Sequence, residues 1–298
     1  MFTGMNTGFD PRRHPRGLNG RFTPVPPPED PDVGLAADLA DPRPASGLAA
    51  VVLPVDPEER AELASVWPPA PPEVLDALVD DRSGYGWGIA VAAARNPATP
   101  RGALVRVAGR DGDEAFQPAV RAAAGNRFTP PDALDTLAGS ADYHTRAAVA
   151  SNPNTRPATL DRLAGDPELA VRRNVAQNAR ATGDTLARLA GDDDAETRLW
   201  VACHSRSRQA DLDRLAGDPV GDIRLGVAEN QFTSPETLDR LAGDVRRDIR
   251  RAVASHDTTE AATLRRLAAD PDADVRADAA AHPAATAAMR ATGGLLAD

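Results

Sequence analysis

The sequence holds no lysine and a single cysteine, Cys203, in 298 residues. One thiol excludes a disulfide framework and any multi-cysteine metal or iron–sulfur site. Large rings are scarce as well: six Phe, three Trp and two Tyr, 4% of the chain. So few cannot fill a wide interior, so the apolar content, mostly Ala, Leu and Val, must pack as a thin layer, which favours an extended body. Long hydrophobic runs are also missing. The longest uncharged, mainly apolar stretch, residues 84–94, is far below the ~20 residues of a membrane span, and no charged-then-apolar signal segment opens the chain. The net charge of -10 gives no general attraction for nucleic acid or an anionic membrane. All 34 basic residues are Arg, which points to the codon usage of a GC-rich genome. A bacterial-type cytoplasmic protein with no cofactor, no metal and no membrane attachment is the expectation.

Proline divides what is there. Fifteen of the 27 Pro residues precede Glu73, including Pro26, Pro27 and Pro28 in a row, so residues 1–72 read as a Pro-rich arm, largely irregular. Within it Asp56 as N-cap, Pro57 at the first helical position and Glu59 three residues after the cap predict one short helix near 57–67. The stretch 12–21 concentrates four Arg and a His and reads as a solvated basic tail.

Residues 73–298 repeat. Leu134, Leu160, Leu186, Leu212, Leu238 and Leu264 are each 26 residues apart, as are Leu137, Leu163, Leu189, Leu215, Leu241 and Leu267. Arg146, Arg172, Arg198, Arg224, Arg250 and Arg276 keep the same step, and so do Val149, Val175, Val201, Val227 and Val253. Two earlier units end in ARNPATP and AGNRFTP, which makes about eight; residues 287–298 depart from the pattern and read as a C-terminal cap. Each unit reads as two short helices, one ending at a Gly such as Gly165 and one running roughly from Leu169 to Asn178. Helices of about ten residues are marginal alone, so each unit must bury its apolar side against its neighbours.

TRAAVASNPNTRPATLDRLAGDP and IRRAVASHDTTEAATLRRLAADP resemble the units of the variant leucine-rich repeat family, and DPDADVRADAA is similar to the HEAT repeat signature. The resemblance spans about three quarters of the chain. It implies an all-α fold, a right-handed α-solenoid of two-helix repeats in which a true helix alternates with a shorter, tighter one. One arrangement in that family adds a cysteine-rich iron–sulfur segment; residues 1–72 contain no Cys, so cluster chemistry is not carried over.

A repeat separates scaffold from surface. At 100° per residue, with Val171 at zero, the constant positions Asn178, Val171, Val175, Arg172 and Ala176 fall between about -20° and 140°, and the variable Arg173, Asn174 and Gln177 between about 200° and 300°. The Arg172 column, with an Asp recurring six residues earlier, predicts an Asp–Arg hydrogen-bond ladder between units. On the variable face, Leu199, Trp200, Cys203 and Leu225, flanked by Arg173 and Arg251, form an expected exposed apolar patch with the composition of a protein-binding hot spot; the competing reading folds Trp200 into a gap between units. A further column, Arg162, Arg188, Arg214, Arg240 and Arg266, could track a phosphate backbone if its guanidinium groups are free, or pair with the Asp four residues on.

Three histidines, His204, His256 and His282, stand where Asn152, Asn178 and Asn230 stand elsewhere. Stacked units place equivalent atoms roughly 10 Å apart, too far for shared zinc ligation at about 2 Å, so a polar turn-stabilising role is expected. Cys203 and His204 point about 100° apart on a helix and make a poor nucleophile–base pair. The leading expectation is therefore a non-enzymatic protein-interaction scaffold. The alternative is a nucleic-acid binder using the Arg columns, similar in principle to DNA glycosylases built from HEAT-like repeats.

Overall fold

The computed structural model describes residues 53–54, 56–65, 70–81 and 86–285, with the side chains of 86–87 left aside. The basic stretch 12–21, most of the Pro-rich arm and the expected cap at 287–298 lie outside them. The chain forms two compact units, within Pro27–Thr182 and Gly183–Asp298. Every described element is a helix. The first unit holds α1 (Pro57–Ser65), α2 (Pro72–Leu78), α3 (Gly86–Arg95), α4 (Arg101–Ala108), α5 (Gln117–Gly125), α6 (Pro131–Leu137), α7 (Tyr143–Ser151), α8 (Pro157–Leu163) and α9 (Leu169–Gln177). The second holds α10 (Gly183–Leu189), α11 (Ala195–Cys203), α12 (Gln209–Leu215), α13 (Gly221–Glu229), α14 (Pro235–Leu241), α15 (Arg247–Ala254), α16 (Ala261–Leu267) and α17 (Ala273–Ala281).

In each unit the odd-numbered helices stack on one another, α1 to α3 to α5 to α7 to α9 and α11 to α13 to α15 to α17, with the shorter even helices packed beside them. Each unit is thus a short α-solenoid. The even helices start where the sequence demands it: Pro131, Pro157 and Pro235 occupy the first helical position, and the residues before them, Pro130, Arg156 and Ser234, are extended at ψ 144°, 147° and 154°. They do not end through a left-handed glycine. Gly112 alone among the described residues has a positive φ; after Leu163 the chain instead stays right-handed and closes with the Asp166 N–H donating to the Leu163 carbonyl at 3.0 Å.

The core is the expected thin layer. Leu134, Leu137, Leu160 and Val149, Val171, Val175 in one unit, and Leu186, Leu212, Leu238, Val201, Val227 and Val253 in the other, are fully buried, each contributing about 1.5–3 kcal/mol. A helix this short leaves much of its backbone unsatisfied at the ends. One buried side chain answers for it. Asn152 donates its amide Nδ2 to the carbonyls of Ala124 and Asn126 in the preceding repeat, at 2.7 and 2.9 Å, and accepts the Asn154 N–H at 2.8 Å on Oδ1. Asn126, Asn178 and Asn230 repeat the pattern. Beside each cap a hydroxyl ties the turn back to its own helix: Thr155, Thr233 and Thr259 donate to the carbonyls of Val149, Val227 and Val253 at 2.5–2.6 Å.

The same bond places α1. Asn96 donates to the Ala64 carbonyl at 3.2 Å, as Asn126 does to Ala94, and Arg60 pairs with Asp81 at 2.7 Å. The predicted short helix therefore exists but is docked as the first member of the stack, ahead of residue 73, where proline content had suggested a loose arm.

Asn152→Ala removes three hydrogen bonds, leaving the buried Ala124 carbonyl bare and the Asn126 carbonyl with only the Thr129 N–H, and should cost the first unit about 2–3 kcal/mol. Urea unfolding checks this; a change below about 0.5 kcal/mol would contradict the role given to the cap.

Candidate interaction surface

The surface is what the stacking bonds leave over. The expected Asp–Arg ladder is present, with a division of labour that the spacing did not show. Arg146, Arg198, Arg224 and Arg250 each make a two-pronged contact to the Asp twenty residues on, in the next repeat: Nε to Oδ2 of Asp166, Asp218, Asp244 and Asp270 at 2.6–2.7 Å, Nη2 to Oδ1 at 2.9–3.3 Å. The residue six positions earlier supplies its main-chain carbonyl instead, as Asp192 does for Arg198 at 2.7 Å. Each Asp also accepts the N–H two residues on at 2.9 Å. The four carboxylates are only 5–7% exposed.

Burial works to raise the carboxyls of Asp166 and Asp244, but the hydrogen bonds from Arg146 and Arg224, the backbone N–H groups and the nearby positive charges outweigh it and hold both below the usual carboxylate range. For Asp270 the bond from Arg250 is the largest influence, with burial opposing it, and the result is again a lowered value.

The second Arg column is tied as well. Arg162, Arg214, Arg240 and Arg266 donate Nη2 to the carbonyls of Asp135, Ala187, Asp213 and Asp239 one repeat earlier, at 3.0, 3.3, 2.8 and 2.5 Å. These carbonyls sit at the C-terminal ends of the preceding even helices, where a cation is favoured. Arg266 also pairs with the Asp239 carboxylate at 2.9 Å, and Arg188 lies exposed in the same column. For Arg162, Arg214, Arg240 and Arg266 the carboxylate four residues on, Asp166, Asp218, Asp244 and Asp270, is held by the ladder arginines Arg146, Arg198, Arg224 and Arg250. Asp135, Asp213 and Asp239 accept instead from the hydroxyls of Thr159, Thr237 and Thr263.

The apolar patch is largely not exposed. Leu199 and Leu225 are buried, at 3% and 5% exposure, and Trp200 and Cys203 are half-buried. The reason lies in Gly226. A Cβ there would meet Cys203 Sγ at 3.0 Å, Ala202 Cβ at 3.3 Å and Leu199 Cδ1 at 3.4 Å, so the bare backbone lets α13 close over α11 and seal Leu199. A single-helix projection overstates the free arc of a helix flanked on both sides by like helices. Burial pushes the Cys203 thiol far above its ordinary range, and the Glu229 carboxylate adds to the effect, which disfavours the thiolate form. Arg251 is exposed and engaged, with Nε donating to Asp278 at 2.8 Å. Arg173 lies half-buried on α9, in the other unit.

The outward arc of the odd helices includes the exposed Ser151 and Gln177 in the first unit, and the exposed Arg251 with the half-buried Trp200, Glu229 and Asp278 in the second. Sequence reading missed the cross-repeat donors, Asn to carbonyl and Arg to carbonyl. Their recurrence at a 26-residue step was the available signal. Phe232 and Phe128, at equivalent turn positions in separate units, are 52% and 38% exposed.

The family described as leucine rich repeat variant matches residues 143–168, from the start of α7 to the turn that follows α8. A solved structure titled as a leucine-rich repeat variant with a novel repetitive protein structural motif is 28% identical, covers 70% of this chain and 81% of its own, and superposes with a TM-score of 0.53. An engineered protein, 14% identical, covers 74% of this chain and 81% of its own at a TM-score of 0.40. A computationally designed armadillo repeat protein for modular peptide recognition, 16% identical, covers 75% and 92% at 0.19. No curated protein matches the chain. No helix among the described residues is long and apolar enough to cross a membrane.

Arg224→Ala strands the Asp244 carboxylate and should cost the second unit about 2–3 kcal/mol, read as a fall in melting temperature. Because the carboxyls of Asp166, Asp244 and Asp270 have lowered values when folded, their contribution is whole above the ordinary value of 3.8 and is lost as pH falls below it. Stability that stays level from pH 5 down to pH 2.5 would contradict the ladder's role.

Proposed function

We propose that this chain, whose repeats are of the leucine-rich repeat variant type, is a non-enzymatic cytoplasmic scaffold that holds another protein against the outward arc of its second helices. The observation that carries the reading is Trp200. Its column is filled by Ala148, Asn174, Gly226, Ala252 and Asp278 in other repeats, none of them aromatic or large and apolar, so stacking does not call for a large ring there, and the residue is only half-buried.

Trp200 is the anchor we assign, with Arg251 and its partner Asp278 at the rim; Leu199 and Leu225 belong to the layer beneath. Arg173 occupies the position equivalent to Leu199 on its own unit. Aromatic and Arg residues of this kind dominate binding energy at protein interfaces. The reading asks for no metal or cofactor. A nucleic-acid partner is disfavoured because the Arg162 column is spent on carbonyls and carboxylates of the preceding repeat and the whole chain carries -10, so little positive field is left for phosphate.

Trp200→Ala should leave the helical circular dichroism unchanged while weakening the complex captured from the native cell by about 2 kcal/mol or more, roughly thirtyfold. Equal capture by both forms would remove Trp200 as the anchor.

A further inference from the structure

Within Gly183–Asp298 three of the four second helices are closed by histidine, at His204, His256 and His282, with Asn230 the fourth; α3, α5, α7 and α9 all use asparagine. The imidazole copies the amide. Nδ1 of His204 accepts the Arg206 N–H at 3.0 Å and Nδ1 of His256 the Thr258 N–H at 3.2 Å, in place of Oδ1, while Nε2 of His256 lies 3.0 Å from the Asn230 carbonyl, in place of Nδ2. An amide offers donor and acceptor at every pH; an imidazole does so only while neutral. A backbone N–H can only donate, so Nδ1 must accept and the hydrogen must sit on Nε2. Both rings are buried, at 3% and 7% exposure. A proton on Nδ1 would set one N–H against another and leave a charge in a dry site.

We infer that His204 and His256 make Gly183–Asp298 a pH-sensitive stack, closed at neutral pH and loosened in mildly acidic solution. The titratable and charged neighbours are Arg206 and Cys203 beside His204, Glu229 on α13, which acts on Cys203, Asp257 and Glu260 in the His256 turn, and the His282 ring, whose Nε2 bonds the His256 carbonyl at 3.0 Å. The Thr258 hydroxyl, 3.1 Å from Nδ1 of His256, can turn a lone pair toward that nitrogen, so His204, with Arg206 in the equivalent place, is the stricter cap. Both rings are neutral when folded and gain a proton on unfolding below the ordinary histidine value of about 6.5. The unfolded state then binds more protons, and the folding equilibrium falls by up to about tenfold per ring for each pH unit below that value. This window lies well above the carboxylate window of the Asp–Arg ladder, and the inference is independent of what binds Trp200.

The test compares the full chain with a His204→Asn, His256→Asn double variant, which installs the cap used elsewhere. Hydrogen-exchange protection of the Arg206 and Thr258 amides, corrected for intrinsic rate, is followed from pH 7.5 to 5.5. Protection in the wild type should drop by up to about thirtyfold between pH 6.5 and 5.5, and in the variant by less than tenfold. Parallel curves would overturn the inference. Should the variant fail to fold, ring nitrogen shifts in the wild type decide: both rings held as the Nε2–H tautomer until the helices open supports it, and rings that titrate while the amides stay protected refutes it.

Discussion

One buried side chain per repeat, bonding backbone on both sides of a gap, is the constraint on which the rest of the molecule depends. A nine-residue helix such as α7 leaves carbonyls that no residue of its own can reach, and an unpaired buried carbonyl is costly. Asn152 reaches back to the Ala124 carbonyl at the end of α5 and to that of Asn126 just beyond it and, with its other atom, folds the chain into the next turn. The end of each repeat is therefore completed by the one after it. That makes stability a matter of neighbours, as expected for a linear array, and it explains why the polar column varies only between two residue types that can both give and accept.

The other constant columns serve the same end with different chemistry. Ladder arginines join a carboxylate in the next repeat to carbonyls in their own, and the even-helix arginines cover carbonyls one repeat earlier. Leu and Val close the thin layer between. With so many constant groups engaged, a binding surface must be made from positions that vary, and this is where Trp200 stands. The reading of the chain as a scaffold rests on that separation.

The repeat length, the helix pairs, the Leu and Val layer and the pairing of the Arg172-type column with aspartate were legible because each recurs at a fixed step. Their exact partners were not. A carbonyl looks alike at every position, so the destination of the Asn152 amide or the Arg240 guanidinium left no mark in the residue types. The burial of Leu199 was hidden for another reason: it depends on the absence of a side chain at Gly226, one repeat away, which a projection of α11 alone cannot register. Helix α1 itself was legible from Asp56, Pro57 and Glu59, but its place in the stack was masked by the proline around it, although Ala64 offers the same carbonyl to Asn96 that later repeats offer to their caps.

The most direct measurement sets two replacements of one cap side by side. Asn230→His keeps an acceptor for the Phe232 N–H and a donor for the preceding carbonyls, whereas Asn230→Asp keeps the size and the acceptor but turns a negative oxygen toward the carbonyls of Ala202 and His204. At pH 7.5 the account predicts that urea unfolding of the histidine form stays within about 1 kcal/mol of wild type while the aspartate form loses about 3 kcal/mol or more. Equal stability of the two variants would contradict it.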